Sequence, residues 1–198
     1  MGIATPEIAD GGIKVSWDAV DSATGYALYR SVDGGDWLQI KPDEDALYIE
    51  DTFYIDENVE SGKAYAYAVA VVINESRGIL NTDNAPVIKY IAPAKITGAI
   101  NGSNYSKISW AAVEGAVSYD VYRADDIENA QETLIGTVDS QQLSYIDNSV
   151  EAGKTYVYTI KVNDGEKTSV SSDGFKHTFL TIPQIKSIAN AYGGITFT

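Results

Sequence analysis

The chain has 198 residues, with no cysteine, one histidine, and 14 basic against 28 acidic side chains for a net charge of −14. That length suits two domains of roughly 100 residues, each held by its own apolar core, and a chain without cysteine has no disulfide scaffold, zinc ribbon, thiol catalysis or iron–sulfur cluster. The charge repels nucleic acid and anionic lipid, and no apolar run approaches the length of a membrane span.

The opening residues, Met1 to Pro6, have neither the basic nor the apolar region of a signal peptide. After the turn Asp10-Gly11-Gly12, the residues Ile13, Val15 and Trp17 alternate with Lys14, Ser16 and Asp18, which is a strand with one apolar face. Gly25 to Arg30 reads as the next strand. If Tyr26 and Leu28 point inward, Tyr29 points out. The turn Asp33-Gly34-Gly35 leads to Trp37 and a short edge strand ending at Ile40. Beyond Tyr54-Ile55-Asp56 comes the longest strand, with Tyr65, Tyr67, Val69 and Val71 on one face and Ala66, Ala68 and Ala70 on the other. A large ring beside a row of methyl groups places Tyr29 over these alanines, partly buried.

The same order then recurs. Trp110, Tyr119 and Tyr122-Arg123 repeat Trp17, Tyr26 and Tyr29-Arg30, and Tyr145-Ile146-Asp147 repeats Tyr54-Ile55-Asp56. Gly153-Lys154, Tyr156 and Tyr158 repeat Gly62-Lys63, Tyr65 and Tyr67. In this copy the outward residues of the long strand are Val157, Thr159 and Lys161, a more polar face. A third copy begins at Ile182-Pro183, and Ile195 to Thr198 resembles Ile13 to Ser16. Self-similarity at a fixed spacing marks a duplication. The expected organisation is 1–91, 92–182 and a truncated third repeat at 183–198, with short linkers marked by proline. No segment has the 3.6-residue apolar stripe of a helix. The expected fold is all-β: two tandem seven-stranded antiparallel sandwiches and the first strands of a third.

These motifs, in this order and twice over, resemble fibronectin type III domains of the kind found in secreted or surface-attached bacterial multidomain proteins. The resemblance implies that Trp17 and Trp110 are core residues between the sheets. It implies that Tyr65 and Tyr156 form tyrosine corners, with each hydroxyl bonded to nearby backbone. It also implies a non-catalytic module, monomeric, outside the cell or on its surface, that spaces or presents neighbouring domains of the same polypeptide.

The chemistry-bearing residues support no catalytic centre. His177 stands alone, away from any motif, and no phosphate or dinucleotide cradle occurs. The acidic runs Asp43-Glu44-Asp45, Asp33 to Asp36 and Asp125-Asp126 read as solvated loops, since none has the ligand spacing of a calcium loop. No catalytic residue, metal ligand or cofactor is expected. The alternative to a spacer is a module that recognises a glycan or an extracellular matrix protein. For it, Trp37 is the candidate platform ring, with Tyr29 second.

Overall fold

A computed structural model describes residues 4–42, 46 and 48–191. The acidic run at 43–45 and the segment at 195–198 lie outside the described residues. The chain divides into two compact units, residues 1–92 and 93–198. Ala92 goes with the first because its amide donates to Ser61 Oγ at 3.0 Å and its side chain packs on that core.

Unit 1 contains β1 (Thr5–Ala9), β2 (Gly12–Ser16), β3 (Gly25–Val32), β4 (Leu38–Ile40), β5 (Phe53–Asp56), β6 (Ala64–Ile73), β7 (Ser76–Arg77) and β8 (Val87–Lys89). One sheet has the order β1-β2-β5; the other runs β4-β3-β6, with β7 and β8 both pairing along β6. Unit 2 contains β9 (Ile96–Asn101), β10 (Ser106–Trp110), β11 (Ser118–Asp125), β12 (Thr133–Asp139), β13 (Ser144–Asp147), β14 (Thr155–Asn163) and β15 (Phe175–Thr178). Its sheets are β9-β10-β13 and β12-β11-β14-β15, all antiparallel. Each unit thus consists of two antiparallel sheets, one of three strands and one built around the pair β3–β6 or β11–β14.

The inward faces are those the alternation predicts. In unit 1 the core joins Ile13, Val15 and Trp17 to Tyr26, Leu28, Tyr65, Tyr67 and Val69. In unit 2, Trp110, Tyr119, Val121, Tyr156, Tyr158, Ile160 and Val162 are all buried. Trp17 meets Tyr26 at 5.6 Å between ring centroids, and Trp110 meets Tyr119 at 5.4 Å. Each of these tyrosines keeps its polar tip satisfied: Tyr26 accepts from the Val20 amide and Tyr119 from the Val113 amide. The indole N–H groups find no acceptor among the described residues. Those two rings are therefore held by area and shape. The tyrosine corners are present, with the Glu60 amide donating to Tyr65 Oη at 2.7 Å and the Glu151 amide to Tyr156 Oη at 2.9 Å.

The last strand of unit 1 is in two pieces. Asn74 and Glu75, both at positive φ, close a two-residue hairpin that places β7 at one end of β6, and β8 returns to the other end. In unit 2 the corresponding stretch precedes β15. There the hydroxyls of Ser169 and Ser172 accept hydrogen bonds from the amides of Val162 and Ile160, each at 2.9 Å.

Beyond β15 the structure departs from expectation. Where the first strand of a third repeat was expected, Ile182–Ala191 forms a helix, α1. Its start carries one half of a capping box: the Gln184 side chain accepts from both the amide and the hydroxyl of Thr181, and the Ile185 amide donates to the Thr181 carbonyl. A strand needs a partner for its ladder, whereas a capped helix satisfies its backbone locally. This helix is too short to cross a membrane, as is every helix among the described residues.

Replacing Tyr65 by Phe keeps the buried ring and removes one backbone hydrogen bond. Urea unfolding is expected to show a loss of about 1 kcal/mol, far less than a truncation of the ring to Ala.

Candidate functional site

The most ordered polar chemistry in each unit is a buried carboxylate between the sheets. Asp56, at the end of β5, is only 2% exposed. Arg30 of β3 reaches it through Nη1 at 2.9 and 3.1 Å, and Tyr67 of β6 donates its hydroxyl at 2.8 Å. Asp147 at the end of β13 repeats the arrangement, with Arg123 Nη1 at 2.7 Å and the Tyr158 hydroxyl at 2.9 Å. Ser149 adds its amide and hydroxyl on the other oxygen. The guanidinium groups also lie over the corner tyrosines, 5.9 Å from the Tyr65 ring and 4.6 Å from Tyr156. Burial first, and then the adjacent carboxylate, push the Tyr67 and Tyr158 hydroxyls far above their ordinary pKa, so both remain donors. Burial alone would raise the Asp147 carboxyl. The bonds from Ser149, Arg123 and Tyr158 outweigh it and hold the group below its usual value. Asp147 is therefore held ionised, and both carboxylates are engaged by Arg and Tyr in the interior.

The repeated Tyr-Ile-Asp and Tyr-Arg pairs stand in the sequence with no pattern that assigns them this role. Their recurrence in both copies was the available signal. His177 is a half-buried residue of β15, with Nε2 2.8 Å from Asn101 Oδ1, and burial lowers its pKa, leaving it neutral at neutral pH. Among the described residues no group of three or more His, Cys, Asp or Glu is placed to hold a metal.

The surface aromatics are distributed unevenly. Tyr29 is half-buried opposite Ala68, as the alternation requires. It packs with Tyr48 and Leu80 over Ala27, Ala70 and Val72, and its hydroxyl accepts from Arg77 at 3.0 Å. Trp37 is half-buried just ahead of β4. A different feature of unit 1 gathers three rings, Phe53 exposed and Tyr48 and Tyr54 half-buried. Described residues of the crossover connection between β4 and β5, among them Pro42 and residues 48–51, line an open depression of about 510 Å³ against β5. Tyr48, Phe53, Tyr54 and Ile55 line it together with Glu50 and Asp51.

Its walls are anchored. Tyr26 and Ile49 exchange backbone hydrogen bonds of 2.7 and 2.8 Å, and the Trp17 amide donates to the Thr52 carbonyl at 3.0 Å. The Tyr48 ring lies so close over Gly25 that any Cβ there would collide with it. Phe53 is 45% exposed, with the Lys14 ammonium 5.8 Å from its ring centroid. Burial, followed by the charges of Asp56 and Glu57, raises the Tyr54 pKa and keeps its hydroxyl protonated. Sequence reasoning missed this site because Tyr48 and Phe53 belong to no alternating run. In unit 2 the same crossover is only residues 140–143, and Tyr145 folds onto Gly136 and donates to the Ile135 carbonyl.

No family model matches the chain. The chain is similar to an amylopullulanase of Thermoanaerobacter thermohydrosulfuricus, 28% identical over 144 residues, which is 67% of this chain and 10% of that protein. An amylopullulanase of Thermoanaerobacterium saccharolyticum is 38% identical over 77 residues, 37% of this chain and 6% of that one. A poly(3-hydroxybutyrate) depolymerase of Delftia acidovorans is 30% identical over 105 residues, 53% of this chain and 20% of that enzyme. The chain thus spans a fifth or less of the length of these relatives. Among solved structures, the chicken interferon gamma receptor alpha chain matches at TM-score 0.47 and 13% identity, covering 89% of this chain and 96% of its own. A segment of two fibronectin type III domains from chicken tenascin matches at TM-score 0.42 and 15% identity, covering 90% of this chain and 99% of its own.

Replacing Asp147 by Asn leaves Arg123 facing no anion, and unit 2 is expected to lose about 3 kcal/mol at neutral pH. Because the folded state lowers this pKa from 3.8, the carboxylate's contribution is present above that value and is lost as pH falls through the lower folded one. Urea unfolding of both proteins should therefore show their difference shrinking in acid, with no such narrowing for Tyr65→Phe.

Proposed function

We propose that this chain is a non-catalytic accessory segment of a larger bacterial protein, whose sandwiches space and present the neighbouring domains. The observation that carries the reading is the spending of each unit's buried polar groups on its own fold. Asp56 and Asp147 are clamped by Arg and Tyr, and the corner tyrosines are occupied by backbone. Among the described residues, no pair of carboxylates with opposed pKa shifts faces a pocket, as hydrolysis by acid and base would need. The relatives support it too, because the part resembling this chain is a small fraction of each amylopullulanase.

Pullulan and poly(3-hydroxybutyrate), the polymers in the relatives' names, are too large to cross a bilayer intact. An enzyme of such a polymer meets it outside the cell or at the surface, which is where we place the parent protein. The partners in this reading are adjoining domains of the same polypeptide, and the segment itself is monomeric. A second reading, a glycan-binding module, is favoured by the aromatic depression of unit 1 and is developed below.

The test of the first reading is hydrolysis. The purified chain, incubated with pullulan and separately with poly(3-hydroxybutyrate), is expected to release no reducing ends and no hydroxybutyrate above a blank. Release that tracks the protein through purification and is lost with Asp51→Asn would overturn it.

A further inference from the structure

We infer that the depression between β5 and the crossover of unit 1 is a binding site for a neutral polysaccharide chain. This goes beyond presentation, which requires no site, and rests on the second reading above.

The depression is not demanded by the fold. Unit 2 builds the same sandwich with a crossover of residues 140–143, and tucks Tyr145 against its own edge strand. Unit 1 has Phe53, 45% exposed, where unit 2 has Ser144, and its longer crossover adds the half-buried Tyr48 to a depression that Tyr54 also lines. Its volume of about 510 Å³ falls within the usual range for small-ligand sites. Exposing such rings costs free energy in water unless something covers them.

The polar groups narrow the chemistry of the occupant. Glu50 and Asp51 are exposed carboxylates in the lining, so they accept hydrogen bonds and repel anions. The Lys14 ammonium beside Phe53 and the protonated Tyr54 hydroxyl are donors. A pyranose ring answers both demands. Its C–H face carries slight positive charge and lies on the negative face of an aromatic ring. Its equatorial hydroxyls donate to carboxylates, as charge-assisted bonds, and accept from the ammonium. A polyester chain offers ester oxygens and no donor, so it would desolvate Glu50 and Asp51 without compensation. An acidic polysaccharide would meet those same carboxylates and a chain of net charge −14.

The experiment is electrophoresis of the intact 198-residue chain in native gels cast with pullulan or with amylopectin, against gels without polymer. Retardation in at least one glucan is expected, weakened about tenfold in apparent affinity by Phe53→Ala and by Glu50→Gln. Both residues are exposed, so circular dichroism should show these variants folded. Ile146→Ala, on the equivalent strand of unit 2, should bind as the parent does. Absence of retardation in both glucans overturns the inference, as does retardation that survives Phe53→Ala or is lost equally in Ile146→Ala. Adsorption to a poly(3-hydroxybutyrate) film that persists in Glu50→Gln, with no retention by glucan, also overturns it and marks the patch as merely apolar. None of these outcomes bears on the accessory-segment reading, which the hydrolysis assay tests separately.

Discussion

A sandwich of two sheets has a weakness that its apolar core does not remove: hydrophobic contact is non-directional, so the sheets can slide over one another at little cost. In each unit a single buried carboxylate supplies the missing direction. Asp56 belongs to the sheet of β1, β2 and β5, while Arg30 and Tyr67 belong to the other. Asp147, Arg123 and Tyr158 do the same in unit 2. A guanidinium and a phenol aimed at one carboxylate leave a narrow range of register between the layers. Such an arrangement is weak evidence for stability, because desolvating the charges costs most of what their attraction returns. Its worth lies in geometry. The strands that carry Tyr65 and Tyr156 are placed by it, and the corners, the stacked Arg side chains and the inward Trp rings follow.

The architecture was readable because its signals are periodic and occur twice. Alternation along residues 13–17 and 65–71 set the buried faces, and recurrence of the same residues further on excluded coincidence. Tyr29 could be placed over the alanine row because strand geometry leaves an outward residue no other neighbour. What could not be read was set by tertiary partners or by local capping. Helix α1 is short and sits in a stretch that resembles the start of a strand. Its Thr181-Ile182-Pro183-Gln184 opening was a legible cap that the expectation of a third repeat overrode. The aromatic depression depends on where a crossover returns to β5, and a linear pattern does not encode that. Trp37, the obvious ring by composition, lies elsewhere.

The two copies differ where the fold tolerates difference. Their corners and buried carboxylates correspond residue for residue, while the last strand is divided in unit 1 and the crossover is long in one unit and short in the other. In unit 1 the outer face of the five-strand sheet is covered by Tyr29, Tyr48 and Leu80. In unit 2 the same face carries polar pairs: Thr159 donates to Glu132, Asn163 to Asp120, and the Lys161 ammonium lies 4.7 Å from the Tyr122 ring centroid. A duplicated scaffold with divergent connections can give its halves different tasks at no cost to either core.

The serines ahead of β15 have a consequence for how such a protein reaches its fold. Two near-copies joined in one chain are held at high effective concentration. While the chain is still folding, a strand of one copy can pair with the counterpart of its partner strand in the other, a characteristic error of tandem repeats. An open edge with evenly spaced amides invites that error. Ser169 and Ser172 fill two of those amides with side-chain oxygens, which no sliding strand can mimic in register. The divided strand β7–β8 breaks the corresponding edge of unit 1. The irregular edges of both copies are therefore poorer templates for a strand of the other copy than an unbroken edge would be.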